Sequence, residues 1–327
     1  MTTEPTIAVL MPVYNDWDAA GTLCRMLDDA CAALKGVRVS IVLVDDGSDE
    51  RASGDLAAWQ PRHLIGVTVV RLRRNVGHQR TIALGLAYLY EQSDAAAMLV
   101  MDADGEDKPD DAVALMRAYL ADPRRAVFAA RRRRLEGTVF TTGYHLYRAF
   151  HWLLTGIEVR IGNFSIVPRE LAGAIVLTSE SWTHYAASAV KARVPMTTIP
   201  MDRGRRLAGR SSMSYVSLVT HGLSAISVFR EVVGTRLLLM AIAVAMVGGA
   251  ALIALIAATA IGAIPFDRLT ATLIALIVLG TLEAATASFA LAFSVLAGRD
   301  QAPFLPMRDY RPFIESVTAL HPADPAR

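Results

Sequence analysis

The sequence predicts an α/β domain with a mainly parallel sheet, followed by an amphipathic helix and two membrane-spanning helices, and three observations carry that prediction. Short apolar runs empty into polar clusters: Ile7 to Met11 before Tyr14-Asn15-Asp16, Val39 to Val44 before Asp45-Asp46-Gly47-Ser48-Asp49, and Ala97 to Met101 before Asp102-Ala103-Asp104-Gly105-Glu106-Asp107. A strand covered on both faces reads this way, polar only where it emerges. Helical segments alternate with these runs, as a parallel sheet with right-handed crossovers requires. The third observation is that no charged residue stands between Leu237 and Phe266, and only Glu283 between Leu269 and Gly298.

The first strand takes Thr6 to Pro12, where proline, lacking an N–H, is expected to end the ladder. Leu23, Met26, Leu27, Ala30 and Leu34 predict one apolar face on a helix from about Asp18 to Leu34. Cys24 and Cys31 fall in that helix and offer neither metal spacing nor a disulfide framework. Val39 to Val44 and Gly66 to Leu72 are the second and third strands, and Arg73-Arg74-Asn75-Val76-Gly77-His78-Gln79-Arg80 leads into a helix through Tyr90. Ala97 to Met101 is a further strand. The strand ends gather at one edge of the sheet, where open α/β sheets bind ligands. No Gly-x-Gly-x-x-Gly follows the first strand and no P-loop is present, so those two nucleotide sites are excluded.

At 327 residues, 53% hydrophobic, with a net charge of +2, the chain has room for about two domains and is too mildly charged to imply nucleic acid. Both apolar stretches exceed the ~20 residues that cross a bilayer. Pro265-Phe266-Asp267-Arg268 allows only a tight hairpin between them. Arg230, Arg236, Arg299 and Arg308 flank the outer ends, and Arg268 alone stands in the connection. Positive residues stay cytoplasmic, so both termini and everything before Arg236 are expected on the cytoplasmic face of the inner membrane. Ile7 to Met11, preceded by Glu4, is too short for a signal peptide. Val216, Val219, Leu223, Ile226 and Phe229 or Arg230 recur at helical spacing, predicting an amphipathic helix from Tyr215 to Val233 at the membrane surface. Glu283 is costly in lipid and is expected to face a polar cavity or a partner helix, which points to a homo-oligomer through the spans. Beyond Gly298, five prolines (Pro303, Pro306, Pro312, Pro322, Pro325) predict a loosely ordered tail. The expected boundaries are thus 1–212, 213–234, 235–298 and 299–327.

Asp102 and Asp104, two apart, point the same way in extended backbone and can share one divalent cation. Carboxylate oxygens suit Mg²⁺ or Mn²⁺, which keep several waters and also take phosphates. Taken alone, an Asp-x-Asp reads equally as a solvated loop, and Tyr14 as a core aromatic.

Pro12-Val13-Tyr14-Asn15, Val44-Asp45-Asp46-Gly47-Ser48, Asn75-Val76-Gly77-His78-Gln79 and Met101-Asp102-Ala103-Asp104 stand in the order of, and resemble, the signatures of inverting, GT-A-fold (Rossmann-like) glycosyltransferases of family two. Within that family the chain is similar to the polyprenyl-phosphate sugar transferases, which include dolichol-phosphate mannose synthase, over about residues 6 to 230. The paired spans match the membrane-anchored bacterial branch. The resemblance implies that Pro12, Tyr14, Asp16 and Asp46 hold the donor nucleotide, with Val44 lining the base, and Ala103 counts among the implied nucleotide-binding residues. Asp16 stands where the family commonly has Glu. Asp102 and Asp104 are the implied metal ligands, and Glu106 replaces a Gln that can join the shell. Arg131 matches a phosphate-contacting arginine, though the block Arg131 to Arg134 also reads as a solvated run.

Arg160 to Ile166 matches the floor of the sugar and acceptor site. Asn163 stands there where many relatives have Asp. An amide accepts no proton, so Asn163 is read as positioning or as a structural turn. His184 is a possible site group or a structural one. Arg203 to Ser214 is similar to the family's Arg-x-x-Gly-x-Ser-Lys lid: Arg206, Gly209 and Ser211 match, and Ser212 stands in the Lys place, where Arg205 or Arg210 could substitute. The implied activity is transfer of a sugar from a UDP- or GDP-sugar to an undecaprenyl-type phosphate, with Mg²⁺ or Mn²⁺. Asp102, Asp104, Asn163 and Arg206 are the implied catalytic residues. The alternatives are a hydroxyl acceptor in cell-envelope glycan synthesis, or a non-catalytic nucleotide-binding scaffold.

Overall fold

The run from Thr6 forms the centre of an eight-stranded sheet in the computed structural model, which describes residues 4–52, 54–131, 151–157, 161–208, 215–297 and 303–322. In chain order the first part runs β1 (Thr6–Val13), α1 (Trp17–Cys31), β2 (Arg38–Asp45), α2 (Gly54–Ala58), β3 (Leu64–Leu72), α3 (His78–Gln92), β4 (Ala97–Val100), α4 (Pro109–Ala121) and β5 (Ala126–Arg131). The chain continues through β6 (Ser165–Pro168), α5 (Arg169–Val176), α6 (Tyr185–Lys191), β7 (Met196–Met201) and α7 (Tyr215–Ser227). Two long helices follow, α8 (Arg230–Ala260) and α9 (Arg268–Ala297), then α10 (Pro306–Asp309) and β8 (Ile314–His321).

The strand order is β7-β5-β6-β4-β1-β2-β3-β8. The ladders of β1 with β2 and β4, β2 with β3, and β5 with β7 are parallel; β6 and β8 run antiparallel to their neighbours. Side chains alternate across the sheet with period two. Ile7, Val9, Met11 and Val13 therefore pack with α1 and α4, while Ala8 and Leu10 pack with α3 on the other face. Helices cover both faces, as the expected mainly parallel α/β sheet requires.

β1 continues through Pro12, where the sequence predicted its end. Leu10 O accepts from Met101 N, so Leu10 turns its polar groups toward β4, and by the same alternation Pro12 does too. The β4 ladder has already ended at Leu10 paired with Val100, so no N–H is demanded of Pro12. In α1 the buried stripe runs through Ala20, Leu23, Cys24, Leu27 and Cys31, whereas Met26 is 42% exposed. The two cysteines are part of the core, and burial pushes both thiols up to about 12.

The described residues fall into two units: one made of residues before 137, 159–228 and those from 303 onward, the other of 137–158 and 229–302. The division corrects two expectations. The amphipathic segment is not one helix, because α7 ends at Ser227 and α8 begins at Arg230, with Ile226 buried and Leu223 exposed. The tail is not loose either: β8 pairs with β3 from Val67 to Leu72. Three of its prolines, Pro303, Pro306 and Pro312, stand before the strand, and Pro306 and Pro312 fall in the first two positions of short helical turns, where no N–H is needed. Phe304, Phe313 and Trp182 stack together, and Tyr310 is buried.

In the second unit α8 and α9 form a hairpin of helices long and apolar enough to cross a membrane, with mean hydropathy 2.6 and 1.9. Leu239, Val247, Ile253 and Phe289 are exposed on them, as is Glu283. Asp267 accepts from Thr270 N at 2.9 Å and so caps the second helix. Both open ends of the hairpin connect to the first unit, since β8 belongs to its sheet.

Candidate active site

The acids after β2 and those after β4 come out at the same edge but meet different partners. Asp45 Oδ1 accepts from Ser48 N at 2.8 Å, and its Oδ2 pairs with Arg71 Nη1 at 2.7 Å. Asp46 accepts from Val76 N at 2.7 Å and Gly77 N at 2.9 Å. Burial raises the pKa of Asp46 and those two amides work against the rise. Gly47 takes a φ of +69° beneath Arg74, where a Cβ would lie 2.6 Å from a backbone carbon. Asn15 ties the neighbouring loop down: its N donates to Ser48 Oγ, its Nδ2 donates to Asp49 Oδ2, and Asp49 N donates to its Oδ1.

The loop after β4 folds on itself and then meets a remote segment. Asp107 Oδ2 accepts from Asp102 N, and Asp104 Oδ1 accepts from Glu106 N, both at 2.9 Å. Gly105 turns with a φ of +84° directly under Leu207. Residues 203–207 lie across this turn: Gly204 N donates to Glu106 O at 2.7 Å and Leu207 N to Asp104 O at 2.9 Å. Arg206 Nη2 pairs with Asp104 Oδ2 at 2.7 Å, and Arg203 pairs with Glu106. Desolvation raises the pKa of Asp104, neighbouring Asp102 adds to the rise, and Arg206 opposes it. Asp16 is raised by burial too, within the fields of Arg206 and Asp104, which places it at this site.

At the start of α3, His78 Nε2 lies 3.2 Å from Asp102 Oδ1 and 3.2 Å from Asn163 Nδ2. Desolvation lowers its pKa, but Asp102, Asp104 and Asp107 outweigh this, so His78 titrates above its ordinary value. Gln79 Nε2 donates to Asn163 Oδ1 at 3.2 Å. A sheet edge carrying acids with guanidiniums against them can take a cation and a polyphosphate together, each replacing a partner already of its own sign.

The family model described as Glycosyl transferase family 2 matches residues 8–176, just over half of the chain. The chain belongs to glycosyl transferase family 2. The family's GT-A architecture is the mainly parallel sheet seen here, and the matched residues carry Asp46, Asp102, Asp104 and Asn163, while Arg203 and Arg206 lie beyond them. Among curated proteins, the undecaprenyl-phosphate 4-deoxy-4-formamido-L-arabinose transferase of Pseudomonas paraeruginosa is 36% identical over 105 residues, 32% of this chain and 30% of that protein. The match thus spans about a third of the relative's length. Among solved structures, glucosyl-3-phosphoglycerate synthase from Mycobacterium tuberculosis, in complex with Mn²⁺, uridine-diphosphate-glucose and phosphoglyceric acid, is 14% identical with a TM-score of 0.49. That alignment covers 70% of this chain and 80% of the other. A mannosyltransferase from Pyrobaculum calidifontis with GDP-Man and Mn²⁺ is 19% identical with a TM-score of 0.43, covering 91% and 89%.

Of the residues expected in this family-two site, the structure brings Asp16, Asp102, Asp104, Glu106, Asn163 and Arg206 to one edge. Tyr14 is half exposed beside Asn15, and Pro12 and Ala103 are buried. Two expected nucleotide contacts are turned inward. Val44 is fully buried against Gly85 of α3, and Asp46 gives its oxygens to the Asn75–Gly77 loop. Glu106, expected as a third metal ligand, faces Arg203; among the described residues no three His, Cys, Asp or Glu side chains form a cage by themselves. His184 is buried and caps α6 through Ala187 N, a structural role. Arg131 closes β5 beside Met201, with its side chain outside the described residues, as are Arg132 to Arg134 and Gly209 to Ser214, which include Ser211 and Ser212. His78, Gln79 and Arg203 were not assigned roles from the sequence. Their signal was present, a polar motif opening a helix at the ligand edge and an arginine three residues before Arg206.

Proposed function

We propose that this chain transfers one sugar from a nucleotide-sugar to a polyprenyl phosphate, with inversion, at the cytoplasmic face of a membrane. The observation that carries the reading is the charge arrangement after β4: Asp104 against Arg206 and Glu106 against Arg203. Hard carboxylate oxygens from Asp102 and Asp104 fit Mg²⁺ or Mn²⁺, which take few protein ligands and complete their shell with phosphate and water. A divalent cation held there would offset charge gathering on the leaving diphosphate.

Arg206 and Arg203 are then released from the carboxylates to fork onto diphosphate oxygens. Asp16, near Arg206, and the exposed ring of Tyr14 bound the nucleoside end, by hydrogen bond and stacking respectively. The acceptor phosphate oxygen attacks the anomeric carbon opposite the diphosphate. The new C–O bond forms as the old one breaks, and the electron pair leaves with the nucleotide. Needing no base, such an acceptor suits the amide at Asn163, since a phosphate monoester is largely ionised at pH 7. A hydroxyl acceptor would need a base there.

The named relative supports a polyprenyl acceptor through the third of its length that matches. The apolar hairpin supports a membrane site, and Arg230 and Arg236 at its open end favour the cytoplasmic side for the first unit. Glu283 on the exposed face of α9 favours self-association, which crosslinking in mild detergent would check. The deciding experiment is transfer of label from a panel of UDP- and GDP-sugars to undecaprenyl phosphate, with Mg²⁺ or Mn²⁺ and with chelator. A metal-dependent lipid product is expected. Nucleotide binding without any lipid product would move the reading to another acceptor, or to a scaffold.

A further inference from the structure

Two glycines let the main chain of residues 203–207 rest directly on the turn that carries Asp104. A Cβ at Gly105, whose φ is +84°, would lie 2.4 Å from Leu207 Cγ, and one at Gly204 would lie 2.7 Å from Gly105 O. At either place a side chain would hold the two backbones apart. Without one they bond to each other, Gly204 N to Glu106 O at 2.7 Å and Leu207 N to Asp104 O at 2.9 Å. Leu207 takes the room that the missing Cβ leaves, although it is 38% exposed and belongs to neither hydrophobic core.

The crossing therefore has two kinds of contact, which a ligand treats differently. A diphosphate competes for the guanidiniums of Arg203 and Arg206, and a cation for the carboxylates opposite them. Neither competes for an amide–carbonyl bond already made, nor for an apolar side chain. Two backbone bonds contribute less than ordering five residues costs, so the leucine decides whether the segment stays down.

We propose that residues 204–207 are a strap docked on the Asp104–Glu106 turn by main chain and by Leu207, independently of charge. Leu207 is then a positioning residue, holding Arg203 and Arg206 at the diphosphate site before and after the donor binds. This rests on the nucleotide-donor half of the reading above. The lid expected over Arg203 to Ser214 is, at its start, a fixed frame from which two guanidiniums swing.

Hydrogen exchange at single amides of the full-length protein in detergent, corrected for intrinsic rates, tests the docking. Gly204 and Leu207 amides should be protected, and remain so within about threefold when Mn²⁺ is added with UDP or GDP. Removing both charges together, with Arg203→Ala and Arg206→Ala, should also leave that protection within about threefold. Leu207→Ala should speed exchange at both amides about tenfold, the worth of a half-buried leucine, while β1 and β4 stay protected. The same variant should weaken calorimetric binding of Mn²⁺ with whichever nucleotide wild type binds, by about fivefold, and Leu207→Met should restore both readouts. Gly105→Ala drives a Cβ into the leucine and should act alike, the two changes together being less than additive.

Protection lost in the double arginine variant, or on adding nucleotide, would make the segment a charge-held lid and overturns the inference. Wild-type exchange in Leu207→Ala overturns it as well. Faster exchange with unchanged nucleotide affinity would leave Leu207 merely structural and overturns its positioning role. If wild type binds neither UDP nor GDP with Mn²⁺, the donor reading falls and the positioning role with it, whereas the exchange rates of the arginine and leucine variants still decide the docking.

Discussion

Two pairs of aspartates close the two strands that flank β1 in one sheet, and they are put to different uses. Asp45 and Asp46 end β2 with their carboxylates on backbone amides of nearby loops and on Arg71, and both are almost fully buried. Asp102 and Asp104 end β4 beside a histidine and the guanidinium of Arg206, a residue brought from another part of the chain. Backbone amides cannot leave without unfolding the loop they belong to. A guanidinium on a flexible stem can, unless it is tied elsewhere as Arg71 is to Ser48 O and Glu315, so the second pair is the better placed to exchange a partner for a ligand. An apolar strand that ends in acids therefore marks an edge, and the partners of those acids decide whether the edge is architecture or chemistry.

The largest expected effect breaks the second pair. Asp102→Asn should lower kcat by about 10³-fold, as loss of a group that organises transition-state charge does, while the melting temperature stays near that of wild type. A variant with near-normal turnover would place the chemistry elsewhere. Arg206→Ala should cost less, about 10²-fold, because Arg203 remains against the same loop. Asp45→Ala should invert the pattern. It strands the Ser48 amide and takes one of three partners from Arg71, at about 2–3 kcal/mol of stability, yet leaves the turnover of the folded fraction within a fewfold. If Asp45→Ala kept stability and lost turnover, the division between the two pairs would fail.

Much of this was legible from the sequence, for physical reasons that also mark where reading stops. Val9, Ile41 and Leu99 lie in runs buried on both faces, so the strands they belong to and the ligand edge followed from patterning alone. Asp102 and Asp104 were recognisable because period two aims them together. Partners in space were not recognisable, since Arg203 meets Glu106 only through tertiary folding. For the same reason the sequence did not show that Asp46 accepts from Val76 N and Gly77 N. The proline count of the carboxyl-terminal stretch concealed Ile314 to His321, whose partner β3 lies more than 200 residues earlier, Arg71 bonding to Glu315 at a separation of 244. The break between α7 and α8 was equally hidden, because helical spacing persists across residues 228 and 229 that the backbone does not keep helical.

The smallest expected effect sharpens the rule about guanidiniums. Glu91, near the end of α3, is held by Arg311 and by the Tyr310 hydroxyl, partners more remote in sequence than Arg206 is from Asp104. It is paired with Arg311 without a companion acid two residues away, so it has nothing with which to share a cation and serves only to fasten the returning chain. Hydrogen bonds from Arg311, then from Tyr310, lower its pKa from 4.5 to about 2. A carboxylate depressed on folding contributes stability that is complete above its unfolded value and lost as pH falls through the folded one. Hydrogen exchange along β8 should therefore quicken relative to β1 as pH falls from about 5 toward 3, after correction for intrinsic rates. Glu91→Gln should weaken β8 protection already at neutral pH and flatten that dependence, with turnover unchanged. Equal exchange in variant and wild type would mean that the β3 ladder alone holds the strand, and that this ion pair, like many exposed ones, adds little.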